Sequence, residues 1–222
     1  MPARLIFNPI EVLNRLDDFD FSTEELLEIV GAMVAARNSC TENHPASAPG
    51  WYSWSEGGRR LREIGLMKAG WFRDETNGVP AIINRGLKIK IAVCNTDDGT
   101  CRDEKDRVPQ NRTKKGPATD RIAEDNRQMM LPGMEDAVSK VVPISAPRDA
   151  AGITVYYVCV YHEGDDVRAE LSCPSETEGG YFSDFVERIF LIGAEGDDDG
   201  GVSRKDDSPD GDEFDIPVTR KS

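Results

Sequence analysis

"TVYYVCVYHEGDDVRAELSC", Thr154–Cys173, is the stretch whose reading decides the fold class. From Val155 to Tyr161 both alternating sets of side chains are apolar, the pattern of a strand covered on its two faces. Glu163-Gly164-Asp165-Asp166 supplies a turn, after which Val167, Ala169, Leu171 and Cys173 alternate with Arg168, Glu170 and Ser172. A central strand followed by a hairpin partner therefore anchors a sheet. "LKIKIAVCN" (87–95) adds a half-buried strand, with Leu87, Ile89, Ile91 and Val93 on one face and Lys88 and Lys90 on the other. "WFR" and "VPAIINR" read as a hairpin about Asn77-Gly78. "FVERIFLIG" (185–193) reads as a further strand or a short helix.

Ahead of the sheet the pattern is helical. In "FSTEELLEIVGAMVAAR" (21–37) Ser22 and Glu25 form a capping box, and Phe21 and Leu26 occupy the staple positions. Leu26, Val30, Met33, Val34 and Arg37 follow at helical spacing, which predicts a helix over 23–37. A shorter helix is expected over Pro9–Leu16. "NSCTENHPASAPG" (38–50) is a break. Leu61, Ile64 and Met67 then mark a helix that Gly70 ends, and "PATDRIAEDNRQ" predicts a short polar one. Residues 130–152 are punctuated by Pro and Gly and carry no assignment.

The expected architecture is α+β, with N-terminal helices, then a mainly antiparallel sheet, then an acidic, flexible C-terminal segment. Its divisions are a helical segment at 1–50, a core at 51–193 and a tail at 194–222. The tail's final "FDIPVTRK" is suited to return as an edge strand.

Composition narrows the function. The chain has 222 residues, 38% hydrophobic and 31% charged, which suits a folded core, and no apolar run approaches a membrane span. The early Arg4 is followed too soon by acidic residues for a signal peptide. Five scattered cysteines, Cys40, Cys94, Cys101, Cys159 and Cys173, then read as reduced thiols in the cytoplasm. No spacing among them or with His44 and His162 matches a structural zinc site. Nucleophile-elbow, phosphate-loop and dinucleotide-turn motifs are missing. A histidine-based centre would have to use one of only two histidines.

The net charge of −14 is uneven. Residues 195–215 carry a net −8, whereas 54–73 and 102–116 each carry +3. Overall acidity disfavours a general polyanion binder, but two basic islands suit a local anion site. In the first, Arg59, Arg60 and Arg62 lie on a helix followed by a hairpin, the local order of a winged helix and equally of a helix packed on a sheet. In the second, Arg107, Arg112, Lys114 and Lys115, with Asn111 and Thr113, precede a helix whose first amides favour an anion.

The leading expectation is an intracellular anion-binding protein, for nucleic acid or a nucleotide, using these two islands as ligand-binding residues. No cofactor is expected under it. A second reading makes Asp97 and Asp98, with Glu63, the start of a Mg²⁺-dependent phosphodiester hydrolase. Asp97-Asp98-Gly99 reads equally as a turn. A third makes the acidic tail a surface for a basic protein partner, or a nucleic-acid mimic. No membrane partner is expected.

Overall fold

The computed structural model describes residues 3–104, 107–129 and 152–192. The divisions of the tail and the edge-strand reading of "FDIPVTRK" lie outside them. The elements in chain order are β1 (Arg4–Ile6), α1 (Pro9–Asp17), α2 (Thr23–Asn38), α3 (Ala48–Leu66), β2 (Trp71–Asp74), β3 (Ala81–Asn84), β4 (Ile89–Asn95), α4 (Pro117–Met129), β5 (Thr154–Glu163), β6 (Asp166–Glu178) and β7 (Tyr181–Ile192). The strands form one seven-stranded sheet in the order β1-β7-β6-β5-β4-β3-β2. Only β4–β5 and β1–β7 pair parallel, so the α+β, mainly antiparallel expectation holds. No described helix is long and apolar enough to cross a membrane.

Helices cover both faces. Against one face lie α1, α2 and α3, over Ile82, Ile91, Val93, Tyr156, Val158, Leu171 and Ile189. Against the other lie α4 and the connection after β4, over Ala92, Cys94, Tyr157, Cys159, Phe182 and Phe185. The segment at 1–50 thus shares the sheet's core, and its β1 extends the sheet beside β7. β5 occupies the middle of the order, which is why both its faces are apolar.

Local rules set the helix ends. The Ser22 hydroxyl accepts from the Glu25 N–H at 3.2 Å, and the Glu25 carboxylate accepts from the Ser22 N–H at 2.8 Å, the expected capping box. Asn8 caps α1 at Ile10 N–H, 3.0 Å away. α3 begins at Ala48, inside the stretch read as a break, because Pro49 in the first turn gives up an N–H that has no intrahelical partner anyway. Its core face is made of Gly57, Gly58, Leu61, Ile64 and Gly65, while Met67, expected in that stripe, is 89% exposed. The glycines let α3 lie close: a Cβ at Gly57 would come 2.4 Å from the Met33 Cγ, and one at Gly65 2.6 Å from the Ile82 Cδ1.

Two sequence expectations are revised and one alternative is decided. The β2–β3 connection is not a two-residue turn at Asn77-Gly78: it is a loop at 75–80 with a 3-10 turn, organised by Asp74 accepting from the Thr76 hydroxyl at 2.8 Å. β4 is covered on both faces, not one, and starts at Ile89; Lys90 is buried and paired with Asp74. "FVERIFLIG" is strand throughout its described part. The helix–hairpin of α3, β2 and β3 belongs to the main sheet rather than to a separate winged module, since Trp71 and Ile82 sit in the core beneath α3.

Candidate functional site

The polar alternate face of β6 is buried. Arg168 (4% exposed), Glu170 (0%) and Ser172 (0%) face the connection after β4 and hold it down. Glu170 receives Arg188 Nε at 2.8 Å and Nη2 at 2.7 Å, the Ser172 hydroxyl at 2.6 Å and the Cys101 N–H at 2.6 Å. Arg188 donates onward to the Arg102 carbonyl at 2.8 Å, and Arg168 to the Asp98 carbonyl at 2.7 Å. The strand-end loop is thus a strap seated on a buried ion pair.

That geometry assigns the acidic pair. Asp97 Oδ1 accepts from the Gly99 N–H at 3.1 Å and the Gln110 N–H at 2.9 Å, closing a side-chain turn, while Asp98 pairs with Arg107. Glu63 is engaged on α3 by Arg59 and Arg60. Among the described residues no group of three or more His, Cys, Asp or Glu is arranged to hold a metal ion.

The two basic islands fare differently. On α3, Arg59 pairs with Glu56 and Glu63, Arg60 with Glu28 and Glu63, and Arg62 with Glu75 at 2.9 Å. These ion pairs pull the Glu63 carboxyl below, and the Arg59 and Arg60 guanidinia above, their ordinary values. In the loop, Arg107 is likewise paired, and Asn111 is buried and occupied. Its amide donates to the Thr113 carbonyl at 2.8 Å and the Gly180 carbonyl at 3.0 Å, and its oxygen accepts from the Phe182 N–H at 2.8 Å. Lys114 packs across Gly180, where a Cβ would lie 2.8 Å from the Lys114 Cγ.

Arg112 and Lys115 line a groove of about 540 Å³ at the C-terminal end of β4, where the Lys115 side chain also reaches the buried Cys94 thiol. Arg37, from the last turn of α2, meets them there, and the N-cap and first two turns of α3 close it with Ser47, Gly50, Trp51 and Trp54. Three cations, one from α2 and two from the loop after β4, therefore line one concavity, and no carboxylate is among the described residues of its wall. Glu163 stands nearby, its Oε2 3.8 Å from the Arg112 Nη2 and 3.2 Å from the Tyr161 hydroxyl. Among the described residues Arg37 and Lys115 make no ion pair. Burial and the neighbouring Arg112 charge hold the Arg37 guanidinium below its ordinary value, with Glu163 only partly offsetting them. An anion in the groove would relieve that repulsion.

The groove is rigidly built. Arg112 Nε donates to the Thr96 carbonyl at 2.9 Å and its guanidinium lies 5.4 Å from the Tyr161 ring centre. Asn95 donates to the Gly50 carbonyl at 2.8 Å and accepts from the Ser53 hydroxyl at 2.8 Å, tying the β4 end to α3. Ser47 makes no side-chain cap bond, so the opening amides of α3 are not occupied by a side chain.

Sequence reasoning selected Arg112 and Lys115 but not Arg37, Asn95, Trp51 or Trp54. Arg37 carried one usable signal, a cation in a helix's last turn. The first island lies apart: Arg59, Arg62 and Arg73 border another groove of about 680 Å³ with Glu56, Glu63 and Glu75, and among the described residues the two grooves share only Trp54. No family model, curated protein or solved structure matches the chain, so the functional reading rests on this geometry alone.

Proposed function

We propose that the protein binds a phosphate-bearing ligand of the nucleotide or nucleic-acid class in the groove lined by Arg37, Arg112 and Lys115. The observation that carries this reading is the convergence of those three cations around a concavity with no carboxylate among the described residues of its wall. In a chain of net charge −14, gathering like charges costs energy unless an anion shares the site. Guanidinium forks and an ammonium suit phosphate oxygens, and in the first turn of α3, where Ala48 donates to Pro45, Trp51 to Ser47 and Pro49 has no N–H, the Gly50 N–H adds one donor. Of the loop half of the sequence expectation, Arg112 and Lys115 are retained in this proposal, and Arg107, Asn111 and Lys114 are not. The α3 half is not, because Arg59, Arg60 and Arg62 are each engaged by carboxylates.

The test is a salt titration of binding to nucleotides and short oligonucleotides. With two or three phosphate contacts, log affinity for a single strand should fall against log salt with a slope of about −2. Arg112→Ala with Lys115→Ala should weaken binding about 100-fold and flatten that slope, whereas Arg59→Ala with Arg60→Ala should leave both unchanged. Equal losses from the two pairs, or salt-independent binding, would refute the reading.

Removal of residues 195–215 bears on the same site. It takes away a net −8, so it should tighten anion binding several-fold at low salt and have little effect at 0.5 M. Loss of binding on deletion would instead make the tail part of the binding surface. A basic protein partner held by the tail would be lost on the same deletion.

A further inference from the structure

The grooved wall is aromatic as well as cationic. Trp51 is 58% exposed at its rim and Trp54 is half-buried beside it. Tyr52 braces the Trp51 ring at 5.4 Å between centres, and His44 braces Tyr52 at 5.9 Å. An exposed indole taken alone needs no explanation. Here it shares one concavity with three cations, on a helix held to the strand end by Asn95.

A phosphate alone would need only the cations. The volume of about 540 Å³ is several times that of a phosphate and falls in the range of pockets for small organic ligands. Cations and an exposed indole in the wall of one groove match a phosphate joined to a flat heterocycle. Indole faces stack on any base because every base presents a π-face. In a duplex both base faces are covered by neighbouring pairs, and a long polyanion would meet the whole repulsion of the −14 chain.

We propose that the groove takes an unpaired nucleotide, with its phosphate on Arg37, Arg112 and Lys115 and its base stacked on Trp51. The proposal rests on the phosphate reading above and adds the base. An unpaired nucleotide is presented by a free nucleotide or by a single strand, and the assay separates them.

The experiment measures tryptophan fluorescence and affinity of the full chain with four probes: pyrophosphate, a nucleoside monophosphate, a short single-stranded oligonucleotide and its duplex. The nucleotide or the single strand should quench the fluorescence, and the duplex should bind at least tenfold more weakly than the single strand. Trp51→Ala should weaken nucleotide or single-strand binding about tenfold and leave pyrophosphate binding unchanged, with Trp51→Phe recovering most of the loss. Binding of the monophosphate as tight as that of the strand assigns a free nucleotide; binding of the strand alone assigns a strand. If Trp51→Ala has no effect while Arg112→Ala still abolishes binding, the base inference falls and the phosphate reading stands. If the duplex equals the single strand, the base inference also falls. If none of the four binds the unaltered chain, both fall.

Discussion

Glu170→Ala is expected to destabilise the protein by about 4 kcal/mol, the cost of leaving one member of a buried ion pair without its partner. Arg188 is 2% exposed and spends two donors on Glu170, which itself is fully buried and accepts four hydrogen bonds. Without the carboxylate, a guanidinium stays in the interior beside an unpaired Cys101 N–H. Burial lowers the affinity of Arg188 for its proton, and the Glu170 carboxylate more than restores it. Glu170→Gln should be nearly as harmful, because in either orientation its amide NH₂ would meet a donor from Arg188 and a second from Ser172 or Cys101. The midpoint of thermal unfolding should fall by about 8–16 °C for a chain of this size. Glu170→Met combined with Arg188→Met should be less damaging than the sum of the single changes, since an apolar pair leaves no charge stranded. Denaturant and thermal unfolding of the unaltered chain, Glu170→Ala, Glu170→Gln, the two single Met variants and the double Met variant checks this. A loss below about 1 kcal/mol for Glu170→Ala would mean the pair is solvated in solution.

Asn111→Ala is expected to cost about 3 kcal/mol and also to weaken anion binding. The side chain serves three backbone groups: the Thr113 and Gly180 carbonyls and the Phe182 N–H. It ties the loop to the β6–β7 turn, where the Lys115 N–H also donates to the Gly180 carbonyl at 2.9 Å. Truncation leaves the buried Phe182 N–H without its partner, leaves the Gly180 carbonyl only the Lys115 N–H, and frees the segment that carries Arg112 and Lys115. Asn111→Asp should be at least as damaging, because its carboxylate would face two carbonyl oxygens. Unfolding curves give the stability loss. Affinity measured well below the unfolding midpoint gives the second effect, expected as a loss of several-fold with the salt slope reduced. Unchanged affinity in a destabilised but folded variant would separate Asn111 from the site.

Sequence and structure agree most closely where a pattern is local. Ser22 and Glu25 lie three residues apart, so their capping box needs nothing from the rest of the chain. β5 is legible because a strand in the middle of a sheet must be apolar on both sides. The alternation of Arg168, Glu170 and Ser172 was just as legible as a strand, but not as a buried face. Period two says that these side chains share a side, not what covers it. The cover is a loop whose carbonyls and Cys101 N–H supply the partners, from residues about 70 positions earlier in the chain. Lys90 follows the same logic, a lysine on a covered face tolerated because Asp74 of β2 reaches it.

The sequence by itself determined the helices, the central strand and the uneven placing of charge, because each follows from neighbours a few residues apart. Which positive side chains remain available to a ligand was decided only by the tertiary structure. Carboxylates on α2, α3 and the β2–β3 loop neutralise the arginines of one island, while strand order brings Arg37, Trp51 and Arg112 together from distant parts of the chain. Charge is a property of composition, but its availability is a property of distances, and those exist only once the sheet has closed.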